Sequence, residues 1–538
     1  MLATAALLLR SSLSPPPTAA TLVMATGATT GCFVLASLLL RSLYKDHQLR
    51  GLPSPPSPSV FLGHILQTMG SIANWKTSGL YPEPFLSWVA QFGGAIHLRE
   101  FWTHVVLVTD PKAVQYILTT HGGNYVRNPT VQAFFADITI GPGLMSVNGA
   151  AHDHFRKMLN PLFTANQTKA FVGMIERQAQ RCVDTVLAPA YDTQTPVNLA
   201  NVLHELSLEV IGLASFGLDF RAFPRVHDAY NQYTLRLNPL LMIGVLTIPG
   251  FLNLPLPSFE RRRAAQRELK RIMTHVIDQK LSEAPAKDAS VAEVDLLDLI
   301  LPHASTHDEA IVHTMTIITA GHRTATATMS FVFAMLAQHP EVADTIREET
   351  AAALLQYGSL SHWETVASLP YTYAVLQESL RLHSTAVSLV RLLCQADDTI
   401  PLDDGSAFFV PQGTMVDINL AAMHRNPKYW TDPDAFKPER FVQGSSMWES
   451  DLARRGGKPH TFFFLPFGAG SRNCIGYRFA MAEMQITVAT FLVAFDFQLA
   501  ETADLRHCTN GVTLQPNNLE VVLKKRRRPV ELPDAEMH

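Results

Sequence analysis

One sulfur in this chain stands in surroundings that suit a metal. Cys474 lies in FLPFGAGSRNCIGYRFA, Phe464 to Ala480, among Gly468, Gly470 and Gly476 and two residues after Arg472. A thiolate is stabilised by positive charge and by backbone N–H groups. Arg472 offers the charge, and the glycines let the backbone curl close without Cβ clashes. The apolar run YRFAMAEMQITVATFLVAF then reads as a helix, so the sulfur precedes a helix N-terminus, an end that favours anions. These effects together predict an ionised, recessed sulfur, a ligand that suits iron. The plain alternative is an inert buried cysteine. Phe467-x-x-Gly470-x-Arg472-x-Cys474-x-Gly476 fixes five identities. Average residue usage gives that coincidence odds on the order of 10⁻⁴ in a chain this long, which argues against the alternative.

Two further segments agree. Glu378-Ser-Leu-Arg381 places an acid and a base three residues apart on one helix face. FKPERF supplies Arg440 at the end of MHRNPKYWTDPDAFKPERF. In these motifs, their order and their spacing the chain resembles the cytochrome P-450 family of haem-thiolate monooxygenases, most of all its fungal microsomal members. The resemblance runs from about Gly51 to about Lys525. It implies that Cys474 is the proximal ligand of haem iron, with Phe467 packed beside it in the loop of Gly468 and Gly476. It makes Glu378, Arg381 and Arg440 a structural cluster. It makes Arg472, Arg156 and Arg391 partners of the haem propionates, since an arginine fork matches a carboxylate bidentately. His152 stands four residues before Arg156, where the family usually has tryptophan, and imidazole can donate to a propionate too.

The same resemblance assigns catalytic roles to Ala320, Gly321 and Thr324. The family commonly shows Ala/Gly-Gly-x-Asp/Glu-Thr, with glycine thinning the helix beside dioxygen and threonine steering protons. Here the residues are Ala320-Gly321-His322-Arg323-Thr324. An arginine replaces the acid, and it cannot act as a proton acid near neutral pH. One hypothesis has His322 or ordered water supply the relay. The other has proton delivery poorer, so that Arg323→Glu raises the coupling of reductant use to product.

The elements that must position these residues follow from composition and pattern. The chain has 538 residues, 47% hydrophobic, with a net charge of −4. No basic field argues for nucleic acid. Its five cysteines show no CxxC pair, so neither a zinc knuckle nor a disulfide framework is indicated. Thr18 to Leu40 carries no charge. As a helix it would reach about 35 Å, enough to cross a bilayer. Arg41, Lys45 and Arg50 follow it, which puts the remainder on the cytoplasmic side. The rival is a cleaved signal peptide. Pro53, Pro55, Pro56 and Pro58 read as a stiff spacer that cannot be helix.

AIHLRE and HVVLVT read as a hairpin, and Asp110-Pro111 as a helix cap. AFFVPQGTMVDIN reads as strand, turn and strand. The segment EAIVHTMTIITAGHRTATATMSFVFAMLAQHP is apolar on nearly every side, so it predicts one long buried helix, with Asp308 as its cap and Pro340 as its stop. Asn238 to Pro257 is apolar but broken by four prolines. It reads either as a loop over the core or as an interfacial segment at a lipophilic entrance. The basic run after it reads as an exposed amphipathic helix.

The resulting organisation is a lumenal segment over 1–17, a transmembrane anchor over 18–40, a proline-rich hinge over 41–60, a haem-thiolate monooxygenase domain over 61–525 and a charged tail over 526–538. The fold class is mainly α with a small β-rich subdomain. The resemblance implies haem b, electrons from NADPH through a flavoprotein reductase, an endoplasmic reticulum membrane, and a lipophilic substrate of specialised metabolism such as a terpenoid, polyketide or fatty acid. Two alternatives stay open: a haem-thiolate isomerase or dehydratase needing no external electrons, and a haem sensor or carrier without turnover.

Overall fold

The computed structural model describes residues 36–217, 224–233, 241, 243–245, 248, 250–283, 295–389, 391–509 and 513–525. Its spine is the long helix His307–Gln338, buried over Ala310–Ile318 and again over Ala325–Leu336. The apolar residues on every side of this segment demand that burial. Thr306, rather than Asp308, caps it, its hydroxyl accepting the Glu309 N–H at 3.1 Å. Asp308 instead sits in the first turn, where the helix dipole favours an acid. Pro340 opens the next helix, Pro340–Tyr357.

The apolar helix Leu199–Phe216 packs along the spine. Asn198 caps it by accepting the Asn201 N–H at 3.1 Å, and Gly217 ends it at φ 66°. It is long and apolar enough to cross a membrane, but most of it is buried inside the fold. The helix Tyr477–Ala494, which follows the cysteine, packs on Ala165–Cys182 through the edge-to-face rings of Phe171 and Phe479. The helix Pro257–Glu283 follows the expected amphipathic pattern, burying Phe259, Ala265, Leu269, Met273 and Ile277 at helical spacing.

The β-rich part centres on a five-stranded sheet, ordered Ala95–Glu100, Thr103–Val108, Met415–Ile418, Leu392–Cys394, Tyr125–Arg127. The first two strands form the expected hairpin, with Ala95 opposite Val108. Asp110 caps the next helix, accepting from the N–H groups of Lys112 and Ala113. AFFVPQGTMVDIN is strand, turn and strand as expected, with the two strands in different sheets. Ala407–Val410 pairs with Asp398–Pro401, whereas Met415–Ile418 runs parallel to Thr103–Val108 in the larger sheet. The turn between them hands the chain from one sheet to the other.

Residues 1–17 and most of the expected anchor lie outside the described residues, as does the tail 526–538. The helix over 36–48 runs through the first part of the expected hinge, a correction: prolines begin only at Pro53. The proline segment is seated rather than free. The Pro53 carbonyl accepts the His97 N–H at 2.9 Å, and the Pro55 carbonyl lies 3.0 Å from His64 Nε2.

Candidate active site

A buried ionic lock fixes the frame around the cysteine loop. Glu378 and Arg381, on the helix Pro370–Leu382, bond bidentately at 2.7 and 2.8 Å. Arg440 Nε donates to the same carboxylate at 3.1 Å, and its Nη1 reaches Asp451 at 3.0 Å. All four side chains are fully buried. Arg381 also donates to the carbonyls of His424, Pro433 and Ala435, so one side chain collects three turns of the loop before the cysteine. Asp451, which keeps the charges matched, was not singled out from sequence. His424 extends the frame: Ser384 Oγ lies 3.0 Å from Nδ1, and the Leu465 N–H donates to Nε2 at 3.0 Å. Burial and the Arg381 charge push His424 down to about 3, so it holds this loop as a neutral ring.

The loop then turns on Gly468 and Gly470, at φ 69° and 71°. A Cβ on Gly470 would stand 2.0 Å from the Leu118 carbonyl oxygen, so only glycine fits. Gly476 has ordinary backbone geometry and room for a Cβ, with Phe163 at 3.7 Å. Its N–H acts on the sulfur instead. The Cys474 N–H donates to the Phe467 carbonyl at 2.7 Å, and the Phe467 ring lies 6.1 Å from Tyr477. The electrostatics differ from the expectation. Burial pushes the Cys474 thiol up, and the Gly476 N–H and the Arg156 charge offset this only in part. The protein alone therefore does not ionise the sulfur; a bound metal cation would. The charge near the sulfur comes from Arg156, because Arg472 turns away to the Asn148 side chain at 2.7 Å.

Cys474 is exposed, although its surroundings desolvate it. A free surface facing an interior hollow fits both. The long helix carries the matching feature. Ala320 and Thr324 are exposed and Thr319 and Arg323 half-buried, on a helix otherwise buried before and after them. At 100° per residue these four positions make a continuous arc of about 140°. Thr316 and Ala327 share that arc one turn to either side and are buried, so they close it off. Two contact chains join this helix to the cysteine loop. One runs from Thr328 to Thr385, at 2.8 Å, and on along the backbone to Leu389, which lies 3.7 Å from where a Gly468 Cβ would be. The other runs from Val312, packed against Gly143, to Val147 and Arg472.

Within the arc, Thr324 Oγ1 donates to the Ala320 carbonyl at 2.8 Å. Gly321 does not thin the accessible face. Its missing Cβ would meet Ile211 at 3.0 Å, so it admits the helix Leu199–Phe216. His322 is also turned away. It is fully buried, 3.1 Å from the Tyr230 hydroxyl, and desolvation with the charges of His204 and Arg323 holds it neutral. The arc therefore offers Thr324 but not the His322 imidazole.

Beside the cysteine loop lies a positive cluster in which Asp153 is the acid that acts on Arg472. Arg127 is held by the Leu144 and Met145 carbonyls, and burial together with Arg472 pushes it down to about 9. Arg472 Nη1 is buried without a partner. His152, buried and bonded to Asp153 at 3.1 Å, is lowered further by Arg472 and Arg127. Asn148 ties the group together, bonding the Arg127 backbone in both directions and accepting from Arg472. Arg156 adjoins it, donating to Asn473 O and Oδ1 at 2.6 Å each. Arg391 stands apart from it here: its fork is taken by Glu100 at 2.5 and 2.9 Å, with Asp417 at 3.5 Å. Arg127 escaped the sequence reading because nothing in NYVRNPT fixes its distance to the cysteine; only the sheet brings it there.

Two mutually repelling guanidinium groups in a desolvated place call for an anion. An accessible sulfur facing a hollow calls for a metal. A flat metalloporphyrin with two carboxylates meets both demands, so the residues present fit haem.

Comparisons agree with this geometry. The sequence model described as "Cytochrome P450" matches residues 53–523. Cytochrome P450 3A7 of Homo sapiens is 29% identical over 496 residues, covering 87% of this chain and 91% of the relative. Cytochrome P450 3A6 of Oryctolagus cuniculus is 26% identical, covering 88% and 92%. Cytochrome P450 4X1 of Homo sapiens is 26% identical over 518 residues, covering 92% and 95%.

Proposed function

The chain belongs to the cytochrome P450 family and is a haem-thiolate monooxygenase fed from NADPH through a partner reductase; from that premise we propose that Cys474 ligates the iron, Thr324 serves the oxygen side, and the substrate is a lipophilic compound of specialised metabolism, met at the endoplasmic reticulum membrane. Haem bound here supplies dioxygen activation and the transfer of one oxygen atom to substrate.

The chain's own residues do the rest. The Gly476 N–H and the Arg156 charge stabilise the sulfur's anionic form. Arg127 and Arg472, with His152 beside them, hold the cofactor's carboxylates and lose their mutual repulsion in doing so. The Thr324 hydroxyl rests on the Ala320 carbonyl and is an exposed side-chain hydroxyl on the arc for passing a proton into the hollow. The buried walls exclude bulk water.

Membrane contact is supported by exposed apolar side chains. Leu39, Leu40, Leu43 and Tyr44 lie on the N-terminal helix, and Ile248, Leu254 and Leu256 lie in the proline-broken segment. That segment packs on the helix Pro129–Ile138 around a cleft lined by Phe134, Val245 and Phe251, which suits an entrance for an apolar compound. For the reductase, an open depression of about 680 Å³ beside the cysteine loop, lined by Arg156, Lys157, Ser471 and Asn473, is the docking surface we favour.

The observation that carries this reading is the pairing of an accessible sulfur with an accessible threonine arc inside an otherwise buried frame. The test is a carbon monoxide difference spectrum of the reduced protein, wild type against Cys474→Ser, then product analysis with a reductase and a lipophilic library. The thiolate band and NADPH-dependent products should both vanish in Cys474→Ser. Turnover that persists without NADPH would mark a rearrangement chemistry instead.

A further inference from the structure

Several interior arginines of this protein have a carboxylate of their own: Arg381 has Glu378 at 2.7 Å, Arg440 has Asp451 at 3.0 Å, Arg391 has Glu100 at 2.5 Å and Arg347 has Asp344 at 2.6 Å. Among the described residues no carboxylate pairs directly with Arg127 or Arg472, although the charge of Asp153 acts on Arg472. Arg323 repeats that pattern at a second place. It lies half-buried on the accessible arc, between Thr319 and Thr324, and no acid pairs with it among the described residues. Its hydrogen-bond neighbour is the Tyr230 hydroxyl. Tyr233 stands beside them, its hydroxyl 3.2 Å from Thr319 Oγ1.

None of these neighbours can neutralise the guanidinium. Burial raises both tyrosines, so they stay neutral phenols, and His322 is neutral. The Tyr230 hydroxyl, 3.1 Å from His322 Nδ1, is already engaged and brings no charge to the guanidinium. The arrangement is thus a fixed, always-charged fork with neutral hydrogen-bonding groups around it, open on the side of the hollow. A guanidinium so placed recovers its lost hydration by meeting an anion. The described residues supply none, and an incoming anionic molecule would.

We propose that Arg323 is the receptor for a carboxylate on the substrate: the compound oxidised is a lipophilic organic acid, bound as its anion with the charged end on Arg323 and the apolar body along the Ala320–Thr324 arc. The proposal rests on the reading of the hollow as the substrate site. It also gives the arginine a task other than proton relay, which its chemistry forbids.

The test is equilibrium dialysis of the haem-loaded full chain, near neutral pH, with palmitic acid, abietic acid and 4-phenylbutyric acid, each beside its methyl ester. At least one acid should bind about 10-fold or more tightly than its ester. Arg323→Gln should weaken that acid by roughly 10- to 100-fold and leave the ester unchanged, the loss typical of a charge-assisted hydrogen-bonded pair. Arg323→Lys should keep part of the preference, since it retains the charge without the fork. Should Arg323→Gln not fold, Arg323→Lys and Tyr230→Phe, each with a smaller acid-to-ester ratio, carry the test. The proposal is overturned if no acid outbinds its ester, or if the preference survives in Arg323→Gln. The carbon monoxide spectrum separates the two failures: a normal thiolate band without acid preference sinks this inference alone, and a missing band sinks the haem-thiolate reading.

Discussion

Two arginines with the same charge should behave differently when neutralised. Arg391 saturates Glu100 in the interior, so Arg391→Gln strands a buried carboxylate. The expected cost is about 3–5 kcal/mol of stability, read as a large fall in thermal midpoint. Among the described residues no acid pairs with Arg127, and Arg472 repels it. Arg127→Gln relieves that repulsion but gives up its bonds to the Leu144 and Met145 carbonyls, so the haem-free chain should lose far less stability than with Arg391→Gln, while haem retained per chain falls several-fold on gel filtration. Equal loss of stability in the two variants would refute the division of roles. The sequence motif located Cys474 and Arg472 correctly as neighbours in the chain, yet misjudged which cation acts on the sulfur. Adjacency along a tight turn does not set where a long side chain goes. Arg472 leaves toward Asn148, and Arg156, far off in the chain, takes its place. The pairing of Arg391 was hidden for a similar reason: sequence cannot show that Glu100, on another strand, holds it.

At the scale of elements, one position tests how the long helix is seated. Alanine has higher helix propensity than glycine by about 1 kcal/mol, so Gly321→Ala would stabilise a free helix. Here the added Cβ meets Ile211 at 3.0 and 3.1 Å. Overpacking of that kind costs about 1–3 kcal/mol, and we expect it to win, lowering the thermal midpoint. Ile211→Val should cancel part of the loss in the double variant; strict additivity would show that the two helices do not meet there. The ionic lock is a harsher case. Glu378→Gln leaves two buried arginines facing Asp451 alone and should yield chain that neither folds stably nor retains haem. That Glu378, Arg381 and Arg440 converge was legible from their spacing and family pattern. The accessible face of the long helix was not. A helix apolar all round carries no amphipathic signal, so only packing reveals that Ala320 and Thr324 face the hollow while Gly321 and His322 face Leu199–Phe216.

Over the whole molecule, buried ionisable groups set a narrow pH range of stability. His97, His104 and His460 are pushed down to about 4 by burial, and His424 and His507 to about 3. In the unfolded chain each returns to about 6.5. Between those values the unfolded state binds more protons, so stability drops as pH falls below 6.5, by about 1.4 kcal/mol per pH unit for each ring. Glu483, buried on the helix after the cysteine and bonded to Ser207 at 2.7 Å, acts in the opposite sense. Burial raises it to about 8. The folded state then holds the extra proton from about pH 4.5 to 8, and stability declines across that window as pH rises. Below 6.5 five histidines outweigh one glutamate; above it the glutamate is left to act. The stability of the haem-loaded protein should therefore peak near pH 6.5, falling steeply toward pH 5 and more gently toward pH 8. Glu483→Gln separates the two arms. It should raise the thermal midpoint at pH 8, where about 2 kcal/mol of the decline from pH 6.5 belongs to this one group, and change little at pH 5. An alkaline decline that persists undiminished in Glu483→Gln would mean that the carboxyl is already ionised in the folded protein and that the helix carries a buried anion.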